Sequence, residues 1–184
     1  MNFVPQMSHC AIYVQDLDRL AKFYSDVLGL VVSDEGRGMT FPADFVFFTA
    51  DPEKHHQFVL VTGRDAGTKS TVNQVSFKVE NLAQLRTIRD RALKAGAPKI
   101  APLNHGNALS VYIEDPEGNT IEAYLDTPWY RPQPCGYPLD LSQSDEAIMK
   151  ATEEICRSHE KFMTREDWMA EVSSRIRKKL AEQG

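Results

Sequence analysis

The chain has 184 residues, of which 42% are hydrophobic and 26% charged, a globular composition long enough for one sizeable domain. Its net charge of −5 gives no electrostatic reason to expect nucleic acid or an anionic membrane as partner. The opening MNFVPQMSHCAIYV has no basic n-region, and no apolar run reaches the length of a membrane span, so the reading is of a cytoplasmic protein that does not enter a membrane.

In chain order, the first feature is HCAIYVQDLDRLAKFYSDVLGL from His9, which returns as QVSFKVENLAQLRTIRDRALKAG from Gln74. At a constant offset, His9 lies over Gln74, Val14 over Val79, Asp16 over Asn81, Leu17 over Leu82, Leu20 over Leu85 and Phe23 over Ile88. Each copy opens with a short alternating strand and continues as a helix. Asp16 and Asn81 are suited to cap those helices, because a short side-chain oxygen can accept from the free N–H groups of the first turn, and Gln84 completes a capping-box pattern with Asn81. Leu20, Phe23 and Val27, and then Leu85, Ile88 and Ala92, recur at helical spacing, while Gly29 and Gly96 stand where a left-handed residue would end each helix. Three strand-like runs follow in each copy: LVVSDEG, DFVFFTA and HHQFVLVTG, then PKIAPL, NALSVYIED and TIEAYLD. The spacing predicts an α+β fold of two tandem βαβββ modules, at about 6–63 and 71–126 within a domain of residues 1–126.

The repeat, the HCAIYVQDLDRLAKFYSDVLGL opening and the DPEGNTIE closing strand resemble the vicinal oxygen chelate superfamily, which includes glyoxalases, fosfomycin- and bleomycin-resistance proteins and type I extradiol dioxygenases. The likeness runs from about Met7 to Asp126. It implies that the two modules pair their sheets into a half-open barrel around one divalent metal, with ligands from the first and last strands. Strand parity agrees on direction: Cys10, Ile12 and Val14 are suited to lie under the helix, leaving His9, Ala11 and Tyr13 on the other face. By the repeat offset Gln74 and Ser76 share that face, and by family position so does Glu122. The resemblance therefore implies His9, Gln74 and Glu122 as metal ligands.

Two stretches begin alike, DPEKHHQFVLV from Asp51 and DPEGNTIEAYL from Asp115. Laid over one another, they put Glu122 on Phe58 and His56 on Thr120, so His56 would look into the cavity and His55 away from it, with His55 as the competing candidate. The first module thus lacks the carboxylate that glyoxalases place there, and its HH strand resembles extradiol dioxygenases, where a histidine acts as acid and base beside the metal. His56, Tyr112 and His105 are the catalytic candidates this subfamily implies: Tyr112 hydrogen-bonding a substrate oxygen, and His105, in the HGN turn, close to the substrate. Extradiol enzymes use two histidines and one carboxylate, whereas Gln74 stands at the second histidine. An amide oxygen is a harder donor than imidazole and favours oxygen-preferring metals. One ion per chain is expected, Fe(II) favoured, with Mn(II), Zn(II) or Ni(II) open.

Residues 127–143, TPWYRPQPCGYPLDLSQ, hold too much proline for a helix or a central strand and should lie extended over the body, with Pro128, Trp129 and Tyr130 as a packing clasp or a wall of the site. Residues 144–184 read as a helical extension. Ile148, Ala151, Ile155 and Phe162 line one helical face. After a capping box at Thr164, Trp168, Val172, Ile176 and Leu180 line another, with Arg175, Arg177, Lys178 and Lys179 towards its end. These faces would pack on the chain's own core or on a second copy in a homodimer. Cys10, Cys135 and Cys156, an odd and widely spaced set, fit reduced thiols. The functional expectation is a metal-dependent oxidoreductase resembling extradiol ring-cleavage dioxygenases, acting with O2 on a small aromatic vicinal diol. The alternatives are a glyoxalase-like isomerase or lyase and a non-catalytic binder of small molecules.

Overall fold

A computed structural model describes residues 3–182 of the chain. The first module is β1 (Cys10–Val14), α1 (Leu17–Leu28), β2 (Val31–Arg37), β3 (Asp44–Thr49) and β4 (Phe58–Thr62), with its strands ordered β1-β4-β3-β2. The second is β5 (Val75–Lys78), α2 (Leu82–Lys94), β6 (Lys99–Asn104), β7 (Ala108–Glu114) and β8 (Thr120–Asp126), ordered β6-β7-β8-β5. In each, the first strand runs parallel to the last and forms one edge of the sheet. This is the predicted pair of βαβββ units, and the two sheets do not close into a barrel.

The caps form for the reasons read in the sequence. Asp16 accepts from the Arg19 N–H and Asn81 from the Gln84 N–H, at 3.0 and 2.9 Å. Gln84 reaches back one residue further than the capping-box pattern predicts, accepting from the N–H of Glu80. Gly29, in the left-handed region at φ 75°, ends α1 with its N–H on the Ser25 carbonyl, a conformation that costs a side-chain-bearing residue strain.

The buried stripes of α1 (Leu20, Phe23, Tyr24, Val27) and α2 (Leu82, Leu85, Ile88, Ala92) cover one face of both sheets in a single core. In β1, Ile12 and Val14 are buried while Ala11 and Tyr13 are exposed, as the parity predicts, and His9, just before the strand, is exposed too. Removing Leu85, which is fully buried, to Ala costs ~2–5 kcal/mol through lost burial and the cavity left behind.

A turn of the second module locks the two together. Asp115, fully buried, accepts from the Glu117 and Asn119 N–H groups, the Asn119 side-chain amide and the Tyr24 hydroxyl of α1. Burial, then the charge and hydrogen bond of Asp115, hold the Tyr24 hydroxyl well above its usual pKa. Glu117 caps the junction between β1 and α1, accepting from the Gln15 and Asp16 N–H groups, and Arg64 donates to Asn119 at 2.7 Å.

After β8, the proline-rich segment forms β9 (Trp129–Tyr130) and β10 (Tyr137–Pro138), the latter joining the second sheet beside β6. The helices α3 (Asp145–Arg157) and α4 (Arg165–Ala181) follow, separated by β11 (Met163–Thr164), which pairs with β9. The buried face of α3 is Ile148, Thr152 and Cys156, one residue round from the predicted stripe through Ala151 and Ile155, because Thr152 donates to the Ile148 carbonyl and accepts from buried Asn104. In α4 no residue is buried: Trp168 stacks on Tyr130, 5.5 Å between ring centres, and Ile176 is 48% exposed. Tyr130 therefore serves packing. Among the described residues no helix is long and apolar enough to cross a membrane.

Candidate active site

The helix-free face of the second sheet carries a polar row. Ser76 of β5, Glu122 of β8 and Tyr112 of β7 are direct cross-strand neighbours, so the register alone aligns their side chains. The Glu122 carboxylate, 8% exposed, accepts from the Ser76 hydroxyl at 2.6 Å and from the Gln74 amide at 2.8 Å. It has no cationic partner among the described residues, an unusual condition for a buried charge. The Gln74 oxygen meanwhile accepts from the Asn73 amide.

The Tyr112 hydroxyl lies 3.1 Å from His105 Nε2. Burial first, then the adjacent Glu122 carboxylate, push the Tyr112 pKa up to about 12, so the phenol keeps its proton at neutral pH. His105 presents its other nitrogen, Nδ1, to the Cys135 carbonyl. Ser76, His105, Asn107, Tyr112, Glu122 and Gln133 line a cavity of about 330 Å³.

The corresponding face of the first module differs in kind. Phe45 and Phe47 of β3 stack at 5.8 Å over Val59 and Val61 of β4, and Phe41 bridges Phe45 and Tyr13. At the end of this apolar wall are the histidines. The predicted strand from His55 begins at Phe58, so strand parity does not divide His55 from His56; both rings meet Phe47, and their Nδ1 atoms are 2.9 Å apart. His56 also packs on His9, 4.4 Å between ring centres, whereas His55 turns out towards Asp34. Desolvation, followed by the neighbouring His9 and His55, lowers the His56 pKa, which favours the neutral, proton-accepting ring.

The structure thus groups the six predicted residues into two sets: Gln74, Glu122, Tyr112 and His105 on one module, His9 and His56 on the other. A second cavity along the seam between β1 and β5 is lined by both His9 and Ser76, and Ser76 also lines the first cavity. Among the described residues no three His, Cys, Asp or Glu side chains converge as a ready metal cage. The donors present nevertheless suit a divalent ion. A buried carboxylate lacks a positive partner, half a turn of the Gln74 amide would exchange its nitrogen for its oxygen facing Glu122, and an imidazole stands across the seam. Ser76, which holds Glu122, was visible in the repeat without a role attached. Gln133 and Cys135 reach the site from the proline-rich segment, where no residue pattern announces them.

These features define a paired-module fold with a polar, carboxylate-bearing cup. Residues 6–123 match the Glyoxalase/Bleomycin resistance protein/Dioxygenase superfamily, and the chain belongs to that superfamily. Among curated proteins it is similar to Biphenyl-2,3-diol 1,2-dioxygenase 3 of Rhodococcus globerulus, 29% identical over 68% of this chain and 66% of the relative. It is also similar to Biphenyl-2,3-diol 1,2-dioxygenase 2 of the same organism, 24% identical over 83% of this chain and 86% of that protein. Among solved structures, a glyoxylase/bleomycin resistance protein/dioxygenase domain from Frankia sp. EAN1pec has a TM-score of 0.57 at 24% identity, covering 68% of this chain and all of that one. The fosfomycin resistance protein FosX from Listeria monocytogenes, solved with Mn(II) and sulfate, has a TM-score of 0.53 at 17% identity over 68% of this chain and 95% of its own. These two structures share the fold.

Proposed function

We propose that the chain is a metal-dependent oxidoreductase of the extradiol type, acting with O2 on a small aromatic vicinal diol. The observation that carries this reading is the buried Glu122 carboxylate, without a cation of its own, in a row with Tyr112 and His105. The names of the two curated relatives point the same way. A divalent ion held by Glu122, Gln74 and His9 would polarise two adjacent substrate oxygens and, as Fe(II), bring the redox chemistry that O2 requires; Mn(II), Zn(II) and Ni(II) are the other candidates.

The chain's own residues divide the remaining work. Phe45 and Phe47 offer a flat apolar surface to an aromatic ring. Tyr112 hydrogen-bonds a substrate oxygen, with His105 behind it. His56, neutral at physiological pH, takes a proton from a diol hydroxyl and returns one later, positioned acid–base work worth ~10²–10⁴-fold.

The test is the metal content of protein purified anaerobically, followed by oxygen uptake with a panel of catechols after Fe(II) loading. Stoichiometric iron with catechol-dependent O2 consumption supports the reading. Bound metal without O2 uptake moves the assignment to isomerase or lyase chemistry, and no metal under any loading removes the enzyme reading in favour of a binder.

A further inference from the structure

The proline-rich segment lies outside the stretch matched by the family, residues 6–123, yet its hydrogen bonds end on a residue of the site. The Gln133 side chain bridges two pieces of chain. Its amide nitrogen donates to the His105 carbonyl and to Asn107 Oδ1, both at 2.9 Å, and its oxygen accepts from the Cys135 N–H at 3.0 Å. The Cys135 carbonyl is thereby held against His105 Nδ1. The sheet pairing of Tyr137 with Asn104 and of Pro138 with Leu103 fixes the segment just beyond. The HGN turn is braced from below as well: buried Asn104 accepts from the Gly106 N–H and donates to Thr152 of α3, and a side chain at Gly106 would meet Arg131 and Cys156 within 3 Å.

A carbonyl oxygen only accepts. Nδ1 must therefore carry the proton, and in the neutral ring Nε2 is bare, an acceptor for the Tyr112 hydroxyl that shares this hydrogen with the Glu122 carboxylate.

We infer that Gln133 is a positioning residue: through the Cys135 carbonyl it fixes His105 in the Nδ1-protonated tautomer and so presents Nε2 to the Tyr112 hydroxyl as an acceptor. Its bearing on turnover rests on the diol-dioxygenase reading, but its structural content does not. An untethered histidine prefers the Nε2-protonated form, so the strap acts against the intrinsic preference of the ring. The roles of Gln133 and Cys135 run through a backbone carbonyl and a side-chain amide, which distinguishes them from groups that touch substrate.

The test is two-dimensional ¹H–¹⁵N spectroscopy of the full chain labelled at histidine, with His105 assigned by its loss in His105→Gln. The expected wild-type signature is a protonated Nδ1 and a bare Nε2; in Gln133→Ala it shifts towards the Nε2-protonated form, and kcat on a diol falls about 10-fold with KM little changed. Gln133→Glu keeps the acceptor for the Cys135 N–H and loses the two donated bonds, so an intermediate signature is expected if the alanine variant folds poorly. An Nε2-protonated wild type, or a wild-type signature retained in both folded variants, overturns the inference. A Gln133-dependent tautomer in a protein that consumes no O2 supports the positioning role and counts against the diol reading alone.

Discussion

The two modules share a fold and divide the chemistry. On the uncovered face of the first, Phe45, Phe47, Val59 and Val61 make an apolar wall; on that of the second, Ser76, Glu122 and Tyr112 make a polar row. The two DPE turns diverge in the same way. Asp51 is half-buried and pairs with Lys54 at the surface, while Asp115 is fully buried and holds Tyr24 of the other module. One copy carries the polar ladder and the other a hydrophobic surface with histidines at its rim. A site at the seam of two such halves can grip an aromatic ring from one side and its oxygens from the other.

That division can be tested by substitutions, beginning with those of largest effect. Glu122→Ala removes the carboxylate at the centre of the polar row, and metal retention and turnover should both fall by about 10³-fold or more, far above the 10–100-fold of a supporting residue; metal analysis of the purified variant reads this directly. His56→Ala should lower kcat by ~10²–10⁴-fold while leaving the metal in place. In the wild type the acid limb of kcat/KM should lie below pH 6.5, because a lowered pKa keeps His56 neutral further into acid. A limb above 6.5 would assign the base elsewhere. Tyr112→Phe should cost ~10²–10³-fold in kcat and remove from ultraviolet difference spectra a phenol expected to ionise at about 12.

Smaller effects test how the modules are joined. Tyr24→Phe leaves a buried carboxylate oxygen of Asp115 one donor short and should lower unfolding free energy by ~1–3 kcal/mol in a denaturant titration, without touching the polar row. The sign of the pH effect follows from the raised Tyr24 pKa: its contribution is intact below pH 10 and is lost as the pH rises above it, when the unfolded chain ionises first. Smallest of all, Phe47→Ala should raise KM for an aromatic substrate several-fold through ~0.5–1.5 kcal/mol of ring contact. An unchanged KM would mean that the wall does not face the substrate.

Much of this was legible in the sequence because it is written in local pattern. The repeat, the caps at Asp16 and Asn81 and the parity of β1 follow from side-chain spacing alone. His55 and His56 were misplaced onto a strand because an approach loop and a strand present the same short run of residues; hydrogen bonding of the Gln57 backbone and side chain to Phe48 and Ala50 delays the ladder to Phe58. The α3 face was read one residue off because apolar periodicity does not register a threonine buried for its hydroxyl. Gln133 was invisible for a deeper reason: its links to residues 105 and 135 are to backbone atoms, and no residue type at either position encodes them.

The Glu117 cap on the Gln15 and Asp16 N–H groups joins residues up to 102 positions apart. Asp16 caps α1 from within the first module, and the N–H groups just ahead of that helix are satisfied by the last turn of the second. The two copies are thereby tied to each other: the entrance to α1 keeps two N–H groups for a side chain 101 and 102 positions further along the chain. Contacts so distant in sequence slow the search for the native topology. A chain cut between the modules, at residues 64–74, should yield halves that are marginal alone and regain structure on mixing.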